Sequence, residues 1–159
     1  MAVVLARIDN RLIHGQVLEA WVPHTRADYV VVANDRLAAD RLRRTMMAAS
    51  VPSCIGVCID SIEAVAAAFA RGEFEGRRVL VLFENSRDAL AARRLGMPFE
   101  ELNLGNMHAG EGKLRCSCTI FLDNGDIANL EALEVEEGVK IQSQCVPGDR
   151  PRPWRKLVR

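Results

Sequence analysis

Short runs of unbroken apolar residues punctuate the first half of the chain: Ala2 to Ala6, Tyr29 to Ala33 (Tyr-Val-Val-Val-Ala) and Val79 to Phe83 (Val-Leu-Val-Leu-Phe). Runs this short, without polar alternation, suit strands covered on both faces, as in a parallel sheet. Between them, stretches rich in Ala, Leu and Arg predict helices over Gly15 to Trp21, Ala38 to Ala49, Ser61 to Arg71 and Ser86 to Leu95. Asp60-Ser61 ahead of the third, with Glu63 in its first turn, is an N-terminal signal. So is Ser86 ahead of the fourth, with Asp88 near its positive end.

The second half is less regular. Leu102 to Leu104 predicts an inner strand, Gly105 to Lys113 a glycine-containing loop and Cys116 to Leu122 another strand. Asp126 to Glu136 follows as a helix capped by Asp123 or Asn124, and Val139 to Val146 as the last strand. Residues 147–159, opening with Pro147-Gly148-Asp149, form a basic, proline-rich tail that reads as a solvated terminus. Alternation of strand and helix implies an α/β fold. We expect one domain over 1–159, doubly wound on a mostly parallel sheet, with helices on both faces and room for an antiparallel edge strand.

Composition narrows the function. Lys plus Arg and Asp plus Glu number 21 each, so no field of one sign argues for nucleic acid. No apolar run reaches the roughly 20 residues that cross a bilayer, and the start of the chain lacks secretory-signal features, so a cytoplasmic location is expected. The 5 cysteines form no CxxC pair and read as reduced thiols. Alternation on a strand would put Cys116 and Cys118 on one face, as small buried hydrophobes beside Cys54 and Cys58. The chain lacks a Walker A loop and GxGxxG after its first strand, which argues against nucleotide binding. No metal site or cofactor is expected.

The chemistry concentrates near the start. If the first strand ends near Arg7 and a helix begins at Gly15, residues 8 to 14 form a loop at the carboxyl edge of the sheet, where open α/β folds bind ligands. His14 then enters a helix N-terminus, beside unpaired N–H groups and a positive dipole end. These favour an anion over an imidazolium. Arg11 supplies a planar cation for phosphoryl oxygens, and Asp9 a carboxylate to orient either the imidazole or Arg11. Gly15 and Gln16 open the helix that would hold the phosphoryl group. His24 reads as a surface loop residue, whereas His108, beyond another strand, is placed to line the same cleft.

The run Ala6-Arg7-Ile8-Asp9-Asn10-Arg11-Leu12-Ile13-His14-Gly15-Gln16-Val17, with Trp21 following, resembles the signature of the IIB components of the mannose/fructose/sorbose family. These serve the bacterial phosphoenolpyruvate-dependent sugar phosphotransferase system. The resemblance continues through Ala33-Asn34-Asp35 with Asp40, Ala49-Ser50-Val51-Pro52, Leu102-Asn103-Leu104-Gly105 with Met107-His108, and Gln142 to Pro147. It implies that His14 accepts a phosphoryl group from a phosphohistidine of a IIA partner. It also implies that His14 passes the group to a sugar entering through membrane subunits IIC and IID, at which the chain would be peripheral. Arg11 and Asp9 match the family's arginine and acid beside the acceptor. Asp35 would lie on the same sheet edge, with a helix-capping role equally open. Where the family often has two glycines this chain reads Gly105-Asn106. A different class of reading keeps the fold and the phosphohistidine but makes the chain a regulatory module that signals to a protein partner.

Overall fold

The computed structural model describes residues 2–158. Seven strands form one sheet in the order β3-β2-β4-β1-β5-β8-β9. They are β1 (Val3–Asp9), β2 (Tyr29–Ala33), β3 (Gly56–Asp60), β4 (Val79–Phe83), β5 (Glu101–Asn106), β8 (Lys140–Ser143) and β9 (Arg152–Pro153). All pairings are parallel except β8 with β9, an antiparallel edge. A separate hairpin of β6 (Leu114–Arg115) and β7 (Phe121–Leu122) stands beyond β5.

Side chains alternate between two cores, because successive residues of a strand point to opposite faces. Ala6, Ile8, Val31, Val81, Phe83 and Leu104 face one core. It is closed by α4 (Ile62–Ala70), α5 (Ser86–Arg94) and α6 (Asn124–Val135). Val30, Val32, Ile59, Leu80 and Leu82 face the other. That side is covered by a π-helical turn (Val17–Trp21) running into α1 (Val22–Thr25), and by α2 (Asp35–Ala39) and α3 (Arg41–Ala49). This second cover stops at β1. Over β5 and β8 the same face is open, leaving a groove of about 310 Å³ lined by Leu5, Glu101, Asn103, Lys140, Gln142 and Gln144.

Several elements differ from expectation for local reasons. The first strand runs on through Ile8 and Asp9, since it gains partners on both sides in β4 and β5. Strand β3 escapes the hydrophobic pattern because its edge position tolerates Gly56, Cys58 and Asp60 among its five residues. The helix expected over Ala38 to Ala49 breaks at Asp40, whose backbone leaves helical geometry and whose side chain caps the Arg43 N–H at 3.1 Å. The fourth helix is capped by Asn85, not Ser86. Ser86 is buried and its hydroxyl donates to Asp126 at 2.7 Å. Asp123 caps α6 in a reciprocal box with Asp126. Caps of this kind contribute ~1 kcal/mol each.

Four expectations need correction. Cys116 to Leu122 is not one strand: only Phe121 and Leu122 pair with β6, and Cys116-Ser117-Cys118 lies in the intervening turn. Cys54 and Cys118 are exposed, so the picture of small buried strand residues does not hold for them. Gly105 and Asn106, assigned to a loop, belong to β5. In the basic tail, Arg150, Arg152, Arg155 and Lys156 are exposed as a solvated segment would have them, but the segment itself is docked. Arg152 and Pro153 pair with Ser143 and Gln142, and Trp154 and Leu157 enter the core with α4, α5 and α6. The Trp154 indole is 1% exposed and donates to Glu134 Oε2 at 3.0 Å. A run of Arg and Pro suggested solvent, but an edge-strand pairing and the two buried side chains of Trp154 and Leu157 dock it. Replacing Trp154 with Ala is expected to lower the unfolding free energy by about 3–5 kcal/mol, read from urea unfolding followed by circular dichroism. A loss below about 1 kcal/mol would show that the tail's docking contributes little to stability.

Candidate functional site

The site grows from the carboxyl end of β1. Its connection leaves toward the face of α1, while those of β4 and β5 lead to the opposite face, so the loops diverge there and open a crevice. Asn10 extends the ladder by donating to the Asn106 carbonyl at 3.0 Å, and the Leu12 N–H then closes a turn on the Asp9 carbonyl at 2.9 Å. Leu12 takes a left-handed backbone, φ 59°, with its side chain fully buried. Burial of that side chain offsets a strain on the order of 1–2 kcal/mol and fixes where the next residues emerge. The helix begins at Gly15, and the Leu18 N–H reaches back to the His14 carbonyl at 3.1 Å. His14 therefore stands at the helix entrance, followed by a π-helical turn of the kind that recurs at functional sites.

Asp9 organises these groups. Its side chain is inaccessible to solvent and receives His14 Nε2 on Oδ2 at 2.9 Å and the backbone N–H of Arg11 on Oδ1 at 3.1 Å. Arg11 Nε lies 3.5 Å from Oδ1, and Arg7 lies 3.6 Å from Oδ2. Burial alone would raise the Asp9 carboxyl. The hydrogen bonds from His14 and the Arg11 backbone, with the charges of His14 and then Arg7, outweigh it and hold Asp9 below the ordinary carboxylate range. An ionised carboxylate only accepts, so the proton of the shared bond belongs to His14 Nε2, which leaves Nδ1 as the nitrogen free to carry a lone pair. The His14 side chain is 15% exposed, enough to be reached from outside.

Of the residues expected at the site, Asp9, Arg11, His14, Gly15 and Gln16 are brought together. Arg11 is half exposed and reaches the Gln16 amide oxygen at 3.5 Å. A Cβ at Gly15 would meet nothing within 4 Å, so no close approach requires glycine there. Asp35 does not join them: its Oδ1 accepts from the Ile62 N–H at 3.0 Å, which caps α4 across the sheet edge. His108 is exposed just past the end of β5, two residues beyond the Asn106 that pairs with Asp9. His24 is exposed in α1, not in a loop, with its ring edge-on to Trp21 at 6.0 Å.

Arg7 escaped the sequence reading as a site residue. It is completely buried. Its guanidinium donates to the Gln144 carbonyl at 2.8 Å, to the Cys145 carbonyl at 2.9 Å and to Asn103 Oδ1, and it stacks 4.7 Å from the Trp21 ring. Burial pushes its pKa down, and Asp9 partly restores it. Trp21 Nε1 donates to the same Cys145 carbonyl at 3.2 Å. The signal for Arg7 was its parity: in a strand it points to the same face as Asp9, two residues on.

A family model described as "PTS system sorbose subfamily IIB component" matches residues 3–159. The fructose-specific EIIB component of Bacillus subtilis (strain 168) is 31% identical over 159 residues, spanning 100% of this chain and 97% of that protein. The mannose-specific EIIAB component of Escherichia coli (strain K12) is 29% identical over 158 residues, 99% of this chain and 49% of its own length. Among solved structures, the IIBSor domain of the sorbose permease from Klebsiella pneumoniae superposes with a TM-score of 0.93 at 32% identity. That match covers 99% of this chain and 96% of the other.

The depressed pKa of Asp9 links the site to stability. A carboxyl whose pKa is lower folded than unfolded adds stability above its unfolded pKa, near 4, and loses it as the pH falls through the folded value. The unfolding free energy of the unsubstituted protein is thus expected to exceed that of Asp9→Asn by ~1–3 kcal/mol near neutrality. The gap should narrow as the pH falls toward about 3. Urea titrations of both proteins across this range check it. A gap independent of pH would mean that the Asp9 charge is not what stabilises the loop.

Proposed function

The chain belongs to the sorbose subfamily of phosphotransferase-system IIB components, and from that premise we propose that His14 is its phosphoryl carrier, with Nδ1 as the reacting atom. Sugar phosphotransfer is the role of the family. One observation carries the assignment to this residue and this atom. Asp9 occupies Nε2, leaving the Nδ1 lone pair as nucleophile at a helix entrance beside Arg11.

In the first transfer, the Nδ1 lone pair attacks phosphorus of a phosphohistidine on a IIA partner, and the donor P–N bond breaks with its electron pair returning to the donor ring. In the second, a sugar hydroxyl oxygen attacks phosphorus as its proton passes to solvent, the P–N bond breaks, and Nδ1 recovers its pair. Both displacements depend on alignment and on neutralising the equatorial oxygens. Arg11 supplies a mobile cation. First-turn N–H groups supply fixed donors, since the dipole of the helix favours an anion there. Asp9 holds the ring against rotation and stabilises the positive charge that builds on it as Nδ1 bonds to phosphorus.

A relative named EIIAB, matched over half its length, supports a IIA donor as the partner. The onward path leads to a sugar through IIC and IID membrane subunits. Among the described residues no helix is long and apolar enough to cross a membrane, so transfer to a transported sugar would occur at subunits that supply the crossing. Relatives of near-equal identity named for fructose, sorbose and mannose tie the match to the family and not to one sugar.

Incubation with phosphoenolpyruvate, the general phosphotransfer proteins and a mannose-type IIA domain is expected to load one acid-labile phosphoryl group per chain. Its attachment to Nδ1 of His14 is checked by phosphorus and nitrogen NMR. His14→Ala should take up none, and Arg11→Gln should slow loading by about 10²–10³. Loading of His14→Ala, or attachment at Nε2, would refute the assignment.

A further inference from the structure

Two cations flank Asp9, and they differ in kind. Arg11 is half exposed at 3.5 Å and screened by water. Arg7 is wholly buried, and each hydrogen bond it makes is to a neutral acceptor, so Asp9 is its one ionic partner among the described residues. Uncharged groups enclose the rest of it: Asn103 and Gly105 from β5, Trp21 from the helix, and the Gln144 and Cys145 carbonyls beyond β8. Its Nε, buried with no hydrogen-bond partner, leaves the guanidinium held by its two terminal nitrogens and by Trp21. The titratable neighbours of this cluster are Arg11 from the loop and the Cys145 thiol from the β8 end.

The seat of the guanidinium is made by an absence. A Cβ at Gly105 would fall 2.0 Å from Arg7 Cζ. Gly105 has no positive φ to explain it, so the requirement for glycine here is space and not backbone conformation. With Arg7 seated, one fixed cation answers one buried carboxylate, so the pair leaves no net charge for a second proton on the ring to balance. Without Arg7, the buried carboxylate would draw a second proton onto the ring and make an imidazolium, which has no lone pair to attack phosphorus.

We infer that Arg7 is a positioning residue that balances the Asp9 charge and so keeps His14 neutral and nucleophilic, and that Gly105 provides the space in which it does so. The inference rests on the reading of His14 as phosphoryl acceptor, and touches neither donor nor sugar.

The test uses the full chain and phosphoramidate, a small phosphoryl donor that needs no docking partner. Nitrogen-15 shifts of the His14 ring distinguish neutral Nε2–H imidazole from imidazolium before any phosphoryl is added. Arg7→Met is expected to lower the neutral-imidazole fraction about tenfold near pH 7. Its uptake of phosphoryl should fall about tenfold near pH 7 and return to within about threefold of the unsubstituted protein near pH 9. Arg7→Lys keeps the charge and should hold the pH profile. Gly105→Ala, which dislodges the guanidinium without removing it, should shift the profile in the same direction. In the Arg7→Met background it should shift the pH profile no further, because no guanidinium remains to be dislodged. A folded Arg7→Met or Gly105→Ala protein with unchanged ring shifts and profile overturns the inference, as does a loss equal at both pH values. If Arg7→Met does not fold, Gly105→Ala decides alone. If the unsubstituted protein takes no phosphoryl on His14, the functional assignment falls, while the ring shifts still decide the role of Arg7.

Discussion

The site depends on a carboxylate kept ionised without water. Asp9 is buried at the end of the central strand, and its oxygens accept from His14 and the Arg11 backbone while Arg7 faces it from within the sheet. A buried carboxylate without such partners would take a proton. Then it could neither hold the imidazole by one nitrogen nor leave the other free. Most of the local structure meets that condition: the turn after Asp9, the left-handed Leu12 and the space at Gly105.

The fold delivers these partners from segments far apart in sequence. Strand β1 contributes Arg7 and Asp9, β5 contributes Asn103 and the open position at Gly105, and the turn after β8 contributes two carbonyls. Gln144 secures that turn by donating to the carbonyls of Pro147 and Asp149. From there the chain reaches β9 and the docked Trp154, so the terminal segment supports the strand end that in turn supports Arg7. Cover of one sheet face ends at β1, so Asn103 and Gln144, which hold Arg7, also line the open groove over β5 and β8.

Much of this was legible in the chain. Apolar runs of about five residues separated by helical stretches identify parallel strands, because a strand covered on both faces cannot alternate. The order of Asp9, Arg11 and His14 before Gly15 marks a helix entrance in the crevice of an α/β sheet. Capping at Ser61 and Asp123 was readable because the cap and the N–H groups it serves lie within three residues of each other. Errors fell where a local signal competed with a distant partner. The tail's Arg and Pro suggested solvent until Trp154 found a core, and the cysteine pair lay in a turn because its hairpin strands were only two residues long.

The sequence by itself determined the fold class and the loop at the end of the first strand, since each follows from periodicity or from neighbours along the chain, while the choice of His14 within that loop came from the resemblance to the IIB signature. Only the tertiary structure decided which imidazole nitrogen is occupied, that Asp35 caps a helix away from the site, and that Arg7 belongs to it. Those facts turn on distances between residues up to 138 positions apart. Hydrogen bonds and charge pairs fall off within a few ångströms, and spacing along a chain does not specify such distances until the strands have paired.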